Sequence, residues 1–146
     1  MKLDAEILEV LCGEREGSLG TVENGKPYVS AVGFVYTPAE EEAGEIHLLL
    51  SGLARHTKNL AVSPWASLLV VETRGGVPVH ERRRLSIQGR AVRVDDKPRH
   101  ETLKTEYLKL FPRAEMFFQL PDFRFYRLGI EEVHWIGGFG RARTIS

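Results

Sequence analysis

Leu3, Ile7, Leu8 and Leu11 recur at three- and four-residue intervals, which predicts a short amphipathic helix ending near Gly13. From Ser18 the pattern changes to alternation. Ser18-Leu19-Gly20-Thr21-Val22-Glu23 leads into Asn24-Gly25, and a second run extends over 27–36. Asn-Gly between two alternating runs predicts a two-residue hairpin, because both residues tolerate the positive φ of a type I′ turn. The acidic stretch 38–44 reads as a loop, 46–50 as a strand, and 55–61 as a short helix stopped by Ser63-Pro64. Strands follow at 65–72 and 85–94, separated by the breaker Arg74-Gly75-Gly76-Val77-Pro78. Leu103, Tyr107, Leu108 and Phe111 predict a helix over 98–111, and a second short helix fits 113–120. Residues 123–136 return to strand character. Gly137-Gly138-Phe139-Gly140 then reads as a flexible C-terminal segment that closes over a ligand or a partner subunit. The strands are mostly consecutive and hairpin-joined, so the expected architecture is an antiparallel barrel or sandwich with helices tucked against it.

Composition narrows the function classes. A chain of 146 residues is expected to form one domain over 1–146, and 42% hydrophobic with 27% charged residues is a soluble globular composition. Twenty basic residues balance twenty acidic ones, which argues against nucleic acid as partner. The basic run Arg82-Arg83-Arg84 follows Glu81 and has no second cluster to support it. Cys12 is the only cysteine, so an internal disulfide and a cysteine zinc cage are both excluded. The acidic N-terminus does not read as a secretory signal, and the apolar stretch 66–71 is too short for a bilayer. A cytoplasmic protein without membrane attachment is expected. His47, His80, His100 and His134 are scattered without metal-ligand spacing, and no nucleophile-base arrangement is visible. No metal site and no catalytic residue is assigned.

Four segments in order resemble one known family. They are Gly17-Ser18-Leu19-Gly20-Thr21-Val22 with Pro27-Tyr28-Val29-Ser30-Ala31-Val32; the unit 48–60 with Pro64 and Ala66-Ser67-Leu68-Leu69-Val70; Arg84-Leu85-Ser86-Ile87-Gln88-Gly89-Arg90-Ala91; and Leu120-Pro121-Asp122-Phe123, Tyr126-Arg127-Leu128 and Gly137-Gly138-Phe139-Gly140-Arg141-Ala142. Together they resemble the pyridoxamine 5′-phosphate oxidase-like superfamily of FMN-binding split β-barrels, in its short, haem-utilisation-related branch. The resemblance implies a mainly β (α+β) fold, a six- to seven-stranded antiparallel split barrel with a few short flanking helices. It also implies a homodimer with the flavin site at the subunit interface, a seam for which Trp65, Phe117, Phe118 and Phe125 would supply apolar surface.

Carried over residue by residue, the resemblance gives a cofactor site. Leu50 and Ser51 at a strand end, then Arg55 and His56 opening a helix, would hold the FMN phosphate. Ser30 and Val32 would lie beside the isoalloxazine ring, Asn59 would face the cofactor, and Arg84 would reach the flavin from a neighbouring strand. The family's usual pair is Arg-Lys, so His56 is a departure. The chemistry is apt, since a guanidinium fork and a helix N-terminus both favour a phosphate dianion, and Ser51 and Thr57 add hydroxyls. From residue type alone, Arg55 reads as a solvated helix residue, His56 as a surface or capping residue, Ser51 as a helix cap and Arg84 as part of a solvated charge run; the surrounding family pattern is what points to the cofactor roles. The implied function is an FMN-dependent oxidoreductase acting on a small molecule. The alternatives are a haem-binding or haem-degrading protein of the same fold and a non-catalytic flavin binder.

Overall fold

The computed structural model describes residues 1–146. Helix α1 (Ala5–Gly13) starts where the Asp4 carboxylate accepts the Ile7 N–H, and it buries Ile7, Val10 and Leu11. Strands β1 (Glu16–Glu23) and β2 (Lys26–Thr37) form the expected hairpin. Asn24 and Gly25 take the positive φ values, 51° and 76°, that its turn requires. Next come β3 (Glu45–Ser51), α2 (Arg55–Val62), β4 (Trp65–Val71), β5 (Arg84–Arg93), α3 (Lys97–Leu110) and α4 (Glu115–Phe118). The chain ends with β6 (Phe123–Leu128), β7 (Glu132–Ile136) and β8 (Ala142–Ile145).

All pairings are antiparallel. The order β4-β1-β2-β3-β6-β5 closes through a β4–β5 ladder into a six-stranded barrel, and β7 and β8 extend the sheet beyond β5. The split barrel expected from the sequence is thus the observed architecture, with two strands appended. Besides its ladder with β4, strand β5 serves two further neighbours: Ala91–Arg93 pair with β6, and Arg84–Gln88 pair with β7. The stretch of strand character over 123–136 is therefore two strands, β6 and β7. The chain crosses at Gly129, whose carbonyl oxygen lies where a β-carbon on Gly89 would have to sit. Only glycine at 89 admits that crossing.

The barrel interior is filled by residues such as Leu19, Phe34, Leu48, Leu68, Ile87 and Trp135. A second apolar layer, with Val35, Leu49, Leu103, Tyr107 and Phe125, lies between the outer face of β2, β3 and β6 and helix α3. Both faces of β3 are therefore covered, which matches its unbroken run of buried residues from Ile46 to Leu50, His47 included. The second layer also corrects the expected dimer seam. Phe125 is fully buried in it and Phe118 packs against it, while Trp65 and Phe117 stay exposed. The C-terminal segment is paired rather than loose: β8 lies on β7, Arg141 bonds to Glu6, and Arg143 pairs with Asp4. No helix is long and apolar enough to cross a membrane.

Candidate functional site

A slot of about 250 Å³ opens where β2, the end of β3 and the start of α2 meet α3, α4 and the start of β6. Val32 and Leu50 line it from the barrel, Tyr107, Phe117 and Phe123 wall it with rings, and Ser51 and His56 contribute polar atoms. Phe117 and Phe123 stack at 4.9 Å between ring centroids. Tyr107 stacks on Phe111 at 4.5 Å and meets Phe118 and Phe125 edge-on. These contacts hold the walls rigid.

Local sequence explains how the slot forms. Ser51 ends β3, and its hydroxyl donates to the Asp122 carboxylate at 2.8 Å while accepting the Leu53 N–H at 3.1 Å. That fixes the turn from which α2 departs. The helix N-cap, Ala54, offers no side-chain cap, so the first N–H groups of α2 lack a side-chain acceptor. His56, in the first turn, bonds through Nδ1 to the Ser30 hydroxyl at 2.9 Å. Its Nε2 is buried and has no hydrogen-bond partner. Burial holds the imidazole below its ordinary pKa. The Thr57 hydroxyl is likewise buried without a partner. Burial pushes the Tyr107 phenol up to about 12, so it keeps its proton at neutral pH.

Four of the eight expected site residues, Val32, Leu50, Ser51 and His56, line one slot, and Ser30 joins them through its bond to His56. The other three do not. Arg55 points to the β1–β2 hairpin, where its guanidinium grips both Glu23 carboxylate oxygens and lies 4.4 Å from the Tyr28 ring centre. The pair holds Glu23 below the usual carboxylate range. Asn59 is buried and donates to Thr21 Oγ1 at 3.1 Å, a bond between helix and barrel. Arg84 donates to the carbonyls of Val79 and Arg82, away from the slot.

Sequence reasoning missed Gly33 and Tyr107. Tyr107 was absorbed into the apolar stripe of its helix. Gly33 lies within β2, where a β-carbon would come 3.0 Å from the Tyr107 hydroxyl and 3.1 Å from Phe111. A glycine inside an apolar strand was the available signal of a close approach.

Comparisons with known proteins agree with the fold. Residues 9–146 match the family model described as CREG, beta-barrel. The heme oxygenase HutZ of Vibrio cholerae is 28% identical over 152 residues, which cover 99% of this chain and 82% of HutZ. A crystal structure of HutZ superposes with a TM-score of 0.72 at 29% identity, covering 90% of this chain and 92% of that one. The chloroplastic heme oxygenase HOZ of Arabidopsis thaliana is 33% identical over 143 residues, covering 94% of this chain and only 41% of HOZ. A FAD-binding protein of Mesorhizobium loti shares the fold, with a TM-score of 0.70 at 23% identity and 90% of each chain covered.

Proposed function

The chain belongs to the CREG β-barrel family, within the pyridoxamine 5′-phosphate oxidase-like split barrels, and from that premise we propose that its slot binds a planar, anionic cofactor, haem before FMN. The observation that carries this reading is the character of the slot. It has three aromatic walls, one neutral histidine with an unpartnered ring nitrogen, and no lysine, arginine or carboxylate among its lining residues. A phosphate dianion calls for charge-assisted donors. The nearest permanent cation in sequence, Arg55, is committed to Glu23. A broad apolar macrocycle with peripheral carboxylates asks less of the walls. The two relatives named as heme oxygenases support the same order.

Haem would supply redox-active iron for oxidative chemistry on a bound molecule or on itself. Tyr107, Phe117 and Phe123 would pack its plane, Val32 and Leu50 would exclude water, and His56 and Ser51 would meet its polar edge. FMN is the second reading, favoured by the uncapped start of α2, whose N–H groups suit a phosphate. In either case the cofactor is larger than the slot. About 250 Å³ falls below the roughly 300–1,000 Å³ of pockets that enclose a small molecule. The remainder would be covered by a second copy of the chain, giving a homodimer with the cofactor at its seam. Arg84, remote from its own chain's slot, would reach the cofactor only across such a seam.

The test is to titrate the purified protein with haemin and, separately, with FMN. A saturable Soret shift with haemin and weaker or no FMN binding is expected. Saturable FMN binding without a haem complex would reverse the order, and no saturable binding of either would refute the reading.

A further inference from the structure

An anionic group inside the slot would meet no counter-charge among the slot's own fixed charges. Of its lining side chains only His56 and Tyr107 titrate, and the Tyr107 phenol is neutral until about pH 12. The slot's lining residues around His56 add no fixed charge, and Glu23 on β1, the strand against which α2 packs, is engaged by Arg55. Strand β2 presents Ser30 and Val32, the end of β3 and its turn present Leu50, Ser51 and Ala54, and α4 and β6 present phenyl rings. Among neighbouring charged groups, Asp122 is engaged by the Ser51 hydroxyl and Arg55 faces Glu23. Burial is the one influence acting on the imidazole, and no neighbouring charge modifies it. His56 is held by Ser30 at Nδ1, while Nε2 has no partner within the chain.

From this arrangement we infer that an anionic group enters the slot together with one proton, which His56 takes up from solvent and holds between the Ser30 hydroxyl and the bound anion. The inference rests on the cofactor-binding reading above and adds how the site is regulated. A neutral imidazole with one bonded nitrogen has one site left. Protonated, it donates through both nitrogens, Nδ1–H to Ser30 Oγ and Nε2–H to the incoming oxygen. The bond to Ser30 fixes the ring plane, so the second donor is aimed before the ligand arrives. A permanently charged lysine at this place would bind the same anion independently of pH. Histidine makes uptake conditional, because the favourable charge exists only once a proton is supplied. A phosphate and a pair of propionates share this chemistry.

Isothermal titration of the full chain at pH 7.5, in HEPES and again in Tris, tests it with FMN and haemin as separate probes. The two buffers differ in ionisation enthalpy, so the difference in observed heat counts the protons exchanged. About one proton taken up per ligand is expected. Affinity should fall about tenfold per pH unit wherever the free imidazole is neutral and the bound one protonated, and burial, which lowers the free ring's pKa, extends that range to the acid side. In His56→Gln the heat should become independent of buffer, and the pH slope should flatten. The His56 Cε1 resonance, followed by NMR in the unsubstituted protein, should move from its neutral to its imidazolium position on saturation. That second readout decides the matter even where the variant misfolds. The probe that shows proton uptake identifies the source of the anion. Saturable binding with buffer-independent heat, or with an unmoved His56 resonance, overturns the inference and leaves the cofactor reading standing. Absence of saturable binding to both probes overturns the two together.

Discussion

Two histidines in this barrel, His47 fully buried and His56 half-buried, are both held below their ordinary pKa by burial and are opposite in surroundings. His47 on β3 is 1% exposed, has its Nε2 3.3 Å from the Glu45 carboxylate, and leaves Nδ1 unpartnered. His56 on α2 bonds through Nδ1 to Ser30 and leaves Nε2 unpartnered. Burial lowers the pKa of both, that of His47 to about 4. Fixed charges ring His47. Glu45 pulls its pKa up, Arg99 and Arg127 push it further down, and Glu45 also accepts from Arg99. No charge rings His56. A histidine whose charge balance is settled inside the fold is a stability element, whereas one facing an uncharged slot is open to a ligand.

The largest expected effect that separates them is acid sensitivity. His47 has a folded-state pKa below its unfolded value of about 6.5, so the unfolded chain binds more protons between the two. Its stabilising contribution is complete above pH ~6.5 and is lost as the pH falls towards about 4. At 1.36 kcal/mol per unit the loss is on the order of 3 kcal/mol. Urea unfolding at pH 7 and 4.5 should show it, and His47→Leu should remove most of the difference. A full acid loss retained in His47→Leu would remove His47 as its source and dissolve the contrast.

Filling the slot comes next. Gly33→Val places carbon against the Tyr107 hydroxyl and Phe111, so cofactor affinity should fall at least about tenfold, equivalent to about 1.4 kcal/mol. Circular dichroism would show the barrel intact, and unchanged affinity would move the site elsewhere. The smallest effect is expected from Arg55→Ala. Its partner is Glu23 and both side chains are solvated, so unfolding temperature and haem affinity should hold steady. A clear drop in FMN affinity in that variant would restore Arg55 as a phosphate anchor that swings away from Glu23 on binding.

Much of this was legible in the chain. Asn24-Gly25 fixed a hairpin because its two φ values exclude most residues, and the helical spacing of Leu3, Ile7 and Leu11 fixed α1. The segment 48–60 pointed to the end of the barrel where the slot lies, since a strand, a tight turn and a helix start are contiguous there. Which side chains share the slot was not legible. Arg55 and His56 are neighbours in sequence, yet a turn of roughly 100° per residue sends one to the hairpin and the other inward. The burial of Phe125 and the rigid wall at Tyr107 depend on α3 lying over β2, β3 and β6, a contact between segments some 70 residues apart (Val35 and Leu103 among them). The split of 123–136 into two strands depends on Gly129 passing over Gly89. Periodicity reports the face a residue presents within its own element. What that face meets is set by closure of the barrel, which joins residues through space that the sequence holds far apart.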